Sequence, residues 1–139
     1  MDVPMGSQGR ADSDAQWVAH SKNDSNGGRA YHGLRDHLEG VAHLSAAHAQ
    51  PFASREWAYL AGLWHDLGKY RPGFQSYVRL DPEAHVEARV PVASAKTHSA
   101  AGALHALSTF EARFGRLGAV SARALAYVIA GHHAGLADW

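Results

Sequence analysis

The chain has 139 residues, of which 46% are hydrophobic and 19% charged, and its 13 basic and 13 acidic side chains leave no net charge at neutral pH. These values fit one globular domain with a single core, and they exclude the global basic field that holds nucleic acid non-specifically, though not a local patch or a partner that delivers a substrate. There is no cysteine, so disulfides and thiolate metal sites are excluded, and no apolar run approaches the length of a membrane span.

The N-terminus lacks the basic-then-apolar order of a secretory leader, so a cytoplasmic protein with no membrane partner is expected. Residues 1–16 are polar and aperiodic and read as a disordered tail, leaving 17–139 as the domain. Ser21–Gly33, rich in Ser, Asn, Asp and Gly, reads as a loop. Leu34, Leu38, Val41 and Ser45 share one face, which predicts a first helix over Leu34–Gln50, broken by Pro51. Ser54 is placed to cap a second helix carrying Trp57, Leu60, Ala61, Trp64 and Leu67, with Gly68 as its stop. Pro72-Gly73 reads as a short connection, and "FQSYVRL" adds a further turn or two of helix. Asp81–Ala95, with Pro82 and Pro91, is the most irregular stretch. A third helix is predicted from near Thr97 to Phe114 and a fourth from near Ser121 to Gly131. No segment sustains the period-2 alternation of a strand, so the fold class is all-α, a compact helical bundle with a candidate metal site between its helices.

Eleven histidines, spread from His20 to His133, stand out in this frame. Imidazole is the commonest protein ligand for transition ions. His37 falls on the apolar face of the first helix. His65 faces the same way on the second, inside the run "AGLWHDLGKY", and Asp66 lies about 100° further round. An ion beside the helix can be reached by both, and the carboxylate keeps a second oxygen for a second ion. His98 opens the third helix, and His132-His133 follows the fourth at Gly131, where the chain can turn. Each group also has an ordinary reading: a satisfied core imidazole for His37, a backbone hydrogen bond for Asp66. The joint pattern shifts the balance, because buried imidazoles and a buried carboxylate are costly unless something pairs them. His20, His32, His43, His48, His85 and His105 read as surface or packing residues.

The order His, His-Asp, His, His-His on a helical scaffold resembles the HD superfamily of metal-dependent phosphohydrolases. "VAHS", "LRDHLEGVAHLSAAHA", "LAGLWHDLGKYRPGFQSYV", "KTHSAAGAL" and "AGHHAGLADW" together resemble the HD nuclease domain of type I CRISPR interference, over roughly residues 17–139. The resemblance implies that His37 and His65 hold one divalent ion, that His98, His132 and His133 hold another, and that Asp66 bridges them. It implies Mn, Ni, Co, Fe or Mg as the ions, single-stranded DNA as substrate, and a superfamily 2 helicase and a surveillance complex as partners. The family closes its first metal site with an aspartate well downstream of the double histidine. Here the sequence runs only six residues past His133, and Asp138 is too near the pair to replace it, so the first site is expected to lack a ligand.

Two ions about 3.5–4 Å apart can clamp a phosphodiester and supply hydroxide. Lys69, one turn past His65, is expected at the mouth of the site as a catalytic group beside Asp66, pairing with phosphate. Its ordinary alternative is a lysine opposing a helix dipole. Tyr70, Arg71, Phe74 and Tyr77 are candidates for a rim that grips a single strand, although core packing explains Phe74 and Tyr77 better. The expected function is a metal-dependent DNA nuclease in antiviral defence. The alternatives are an HD-type nucleotide phosphohydrolase and an inactive module that docks a helicase or surveillance complex.

Overall fold

The computed structural model describes residues 16–23, 25–80 and 98–133. Residues 1–15 of the expected tail, the irregular stretch Asp81–Ala95 with His85, Thr97 and Asp138 lie outside the described residues.

The chain enters through an antiparallel hairpin, β1 (Val18–Asn23) and β2 (Arg29–Gly33). This corrects the loop expected over Ser21–Gly33. The overlooked signal is Asn26-Gly27, a dipeptide suited to a hairpin turn, with Gly27 at φ 78°. The usual alternation is hidden because the register slips: Val18 pairs with Gly33 but His20 with His32, leaving Ala19 as an extra residue in β1.

Helix α1 (Leu34–Ala49) follows at once, its first amide donating to Trp17 O at 2.8 Å. Its buried face is Leu34, Leu38, Ala42 and Ala46, rotated slightly from the predicted Val41 and Ser45. A 3-10 turn at Gln50–Phe52 contains Pro51 and leads to α2 (Arg55–Trp64). Ser54 occupies the N-cap position, yet its hydroxyl donates backwards to Phe52 O at 3.1 Å rather than capping the helix. α2 stops at Trp64, short of the predicted Leu67, and Leu67–Tyr70 forms a second 3-10 turn. α3 (Pro72–Leu80) begins at the proline expected to lie in a connection, since proline suits the first turn of a helix.

The last element, α4 (His98–Gly131), is two helical arms joined at Gly115, whose φ of 64° and ψ of −155° no helix accommodates. A straight helix would separate its ends by roughly 50 Å at ~1.5 Å per residue. Instead Ala103 and Ala106 on one arm pack with Leu125, Ala126 and Ile129 on the other. The two predicted helices therefore stand, but a single glycine connects them instead of the expected stretch up to Ser121. Leu60, Ala61 and Trp64 of α2 complete this core. The hairpin is held by two smaller clusters, Val18 with Val78 and Ala19 with Leu34 and Leu38. The bundle is mostly α, as the helical periodicity predicts, with the two-stranded ribbon as its addition. Among the described residues no helix is long and apolar enough to cross a membrane.

Candidate metal centre

Four segment ends deliver the site, the first turn of α1 bringing His37. His65 still has helical backbone angles, but Asp66 leaves the helix at φ −113°, ψ 22°. The two are therefore not neighbours on one helical surface, as the sequence implied. The break lets the Asp66 side chain drop into the bundle, where the residue is 1% exposed. The start of α4 can approach this turn because Gly68 has no side chain: a Cβ there would overlap the backbone of His98. The other end of α4 returns His132 and His133 to the same place.

The two oxygens of Asp66 face different partners. Oδ2 lies 3.0 Å from His65 Nε2, 3.1 Å from His37 Nε2 and 2.8 Å from Lys69 Nζ. Oδ1 lies 3.2 Å from His132 Nε2, 3.4 Å from His98 Nε2 and 3.9 Å from His133 Nε2. His37 and His65 approach each other at 3.2 Å between Nε2 atoms, and His98 and His133 also meet through Nε2.

The ring orientations say what this arrangement needs. His65 Nδ1 is 2.7 Å from Gly62 O and His132 Nδ1 is 2.6 Å from Ile129 O. A carbonyl only accepts, so Nδ1 carries the proton in each ring. In a neutral imidazole this leaves a lone pair on Nε2, aimed at a carboxylate oxygen that also bears lone pairs. Such contacts are repulsive unless positive charge lies among them, either extra ring protons or a cation. A protein carbonyl holding Nδ1–H is the usual support for a histidine ligating through Nε2. The spacings also suit a shared ion: two donors at ~2.1 Å from one ion lie roughly 3.0 Å apart at right angles and about 3.4 Å apart at the tetrahedral angle. The residues therefore fit divalent metal. Burial by itself would raise the Asp66 pKa, but hydrogen bonds from His132, His37 and His65, where the extra ring protons sit on Nε2, and the Lys69 ammonium reverse this and hold the carboxyl well below the usual carboxylate range.

All six sequence-derived candidates, His37, His65, Asp66, His98, His132 and His133, come together here. Ligand atoms of Asp66, His98, His132 and His133 lie within 4.8 Å of one another, and so do those of His20, His37 and Asp66. His20 is the residue that sequence reasoning missed; only its place in "VAHS" pointed to it. His105 packs edge-on against Trp64 at 4.9 Å between ring centroids, as a packing residue.

Lys69 is not at the mouth. It is 2% exposed, bound to Asp66, with its ammonium 5.4 Å from the centre of the Phe74 ring. Phe74 and Tyr77 pack on Val18 and Val78, although the Phe74 ring also borders His98 at 6.0 Å. Tyr70 pairs edge-on with Trp17 at 5.6 Å. Gln75, quoted in the sequence only as part of "FQ", is the clamp of this region. Its Oε1 accepts from Val18 N–H at 2.9 Å, and its Nε2 donates to Val18 O at 2.9 Å and Lys69 O at 2.7 Å.

A family model described as Cas3, HD domain, matches residues 19–138. No curated protein matches the chain.

Proposed function

The chain belongs to the Cas3 HD-domain family, the HD nuclease domain of type I CRISPR interference, and from that premise we propose that it is a metal-dependent phosphodiesterase cleaving single-stranded DNA. The observation carrying this reading is Asp66, a buried carboxylate whose two oxygens face separate sets of imidazoles. His37 and His65 would hold a divalent ion on the Oδ2 side, and His98, His132 and His133 one on the Oδ1 side. Mn, Ni, Co, Fe or Mg are the candidates, with imidazole-rich ligation favouring the transition ions. When bound, such a pair supplies an activated water and neutralises charge on the scissile phosphate.

The chain's own residues prepare the centre. The carbonyls of Gly62 and Ile129 fix the His65 and His132 rings with Nε2 turned inward. Asp66 holds both ligand sets in one register. Lys69, buried against Asp66, acts as a positioning residue that keeps the carboxylate ionised and aimed. With no net charge on the chain, DNA is fed to the site by a partner, a superfamily 2 helicase within a CRISPR surveillance assembly. The setting of such an antiviral nuclease is the cytoplasm.

The test is degradation of an unstructured DNA strand in manganese. The wild-type chain should cut it, and Asp66→Ala should reduce cutting to background. A chain that instead releases phosphate from nucleoside monophosphates and leaves the strand intact would be a nucleotidase, and the proposal would fail.

A further inference from the structure

We propose that His20, on strand β1, supplies a further ligand to the ion on the Oδ2 side of Asp66, so that the hairpin closes that half of the centre. This deepens the metallonuclease reading and rests on it.

On the Oδ2 side, His37, His65 and Asp66 converge from α1 and the end of α2, whereas the Oδ1 side has three histidines besides the shared carboxylate. A first-row divalent ion on protein nitrogen and oxygen takes four ligands or more. His20 is the next donor to hand. One of its ring nitrogens lies within 4.8 Å of ligand atoms on both His37 and Asp66, and its ring centroid is 4.7 Å from that of His37.

The strand is built to put it there. Strict alternation would turn Val18 and His20 to one face and Ala19 to the other. The extra residue at Ala19 breaks that rule: Val18 packs on Val78, Ala19 on Leu34 and Leu38, and His20 turns to His37. Bulges commonly re-aim a side chain in this way. The position is also fixed. Val18 and Ala19 are buried, and Gln75 ties both backbone groups of Val18 to the turn that carries Lys69. A ligand on such a strand needs little further ordering when an ion arrives. His32, the cross-strand partner of His20, has its ring centroid 6.4 Å from that of His20 and 5.7 Å from that of His37.

The test is cobalt(II) binding to the metal-free chain, followed by its visible d–d absorption and by equilibrium dialysis. Wild type should take two ions. His20→Ala should keep one and weaken the other by at least ~100-fold, beyond the ~10–100-fold that loss of an outer-shell partner costs. His20→Asp, which restores a donor, should regain the second ion with an altered spectrum. Should His20→Ala lose its circular dichroism, His20→Phe makes the same comparison with a ring that lacks a donor. Two ions held with wild-type affinity and spectrum by His20→Ala or His20→Phe would overturn the assignment and leave the metallonuclease reading standing. A wild type that binds no ion would overturn both.

Discussion

His65 and His132, from different helices, are oriented by the same device: each turns Nδ1 to the carbonyl three residues earlier, at 2.7 and 2.6 Å, and presents Nε2 to Asp66. The repetition fixes a prediction about tautomers. In the folded chain both rings should carry their proton on Nδ1, and divalent metal should perturb Nε2 selectively. Long-range nitrogen–proton correlation spectra of the metal-free and zinc-loaded chain would report this. Nε2–H tautomers for both rings would contradict it.

Lys69 and Asp66 form a buried ion pair at 2.8 Å. Removing one member of such a pair leaves the other charge uncompensated, at a cost of about 3–5 kcal/mol. Lys69→Met should therefore destabilise the metal-free chain by about 3 kcal/mol. Saturating manganese should recover much of this, because a cation then faces the carboxylate. Urea unfolding with and without manganese separates the cases, and an equal loss in both would assign Lys69 a role apart from the charge of Asp66.

Gln75 satisfies Val18 N–H, Val18 O and Lys69 O at once. Gln75→Glu replaces the amide donor with an oxygen facing two carbonyls. The expected loss is about 1–3 kcal/mol or more, with amide exchange rising first in β1 as the hairpin loosens. Uniform destabilisation without selective opening of β1 would argue against the clamp.

Gly68 lies where a Cβ would overlap the His98 backbone. Gly68→Ala should push the start of α4 away, costing about 1–3 kcal/mol as an overpacked site, and should weaken metal on the Oδ1 side more than on the Oδ2 side. Equal weakening on both sides would show that the strain spreads through the bundle.

Asp66 also sets a pH dependence. Its folded pKa is depressed below the ordinary 3.8, so its ionisation stabilises the fold above that value and the contribution is lost only as pH falls below it. The stability gap between wild type and Asp66→Asn should hence shrink in acid, as pH falls below about 4. His32 acts in the same direction at higher pH. Burial first, and then the charge of His37, push it below 6.5, so the unfolded chain binds its proton more readily. Stability should fall as pH drops through 6.5, and His32→Gln should flatten that limb. Urea midpoints measured across pH for the metal-free chain check both.

The helices and the six converging candidates were legible because each rests on local chemistry: apolar spacing, a proline or glycine at an end, a His-Asp or His-His pair. What escaped depends on events that periodicity does not report. Ser21–Gly33 reads as a loop because Ser, Asn, Asp and Gly dominate it, and the bulge at Ala19 hides the alternation of the strand that enters it. His20 reads as a surface or packing residue because its approach to His37 depends on that bulge. The burial of Lys69 is not legible locally, because a lysine enters a core only when a buried carboxylate awaits it, and the depth of Asp66 depends on α2 ending at Trp64. The one-residue joint at Gly115 followed from a backbone angle, not from the surrounding apolar pattern.

The central claim is that Asp66 bridges two ions, and the most direct test is the electron paramagnetic resonance of the manganese-loaded chain. The account predicts two manganese ions per chain with the spectrum of an exchange-coupled pair, and loss of that coupling in Asp66→Ala. A spectrum of isolated manganese in the wild type, or coupling that survives in Asp66→Ala, would contradict it.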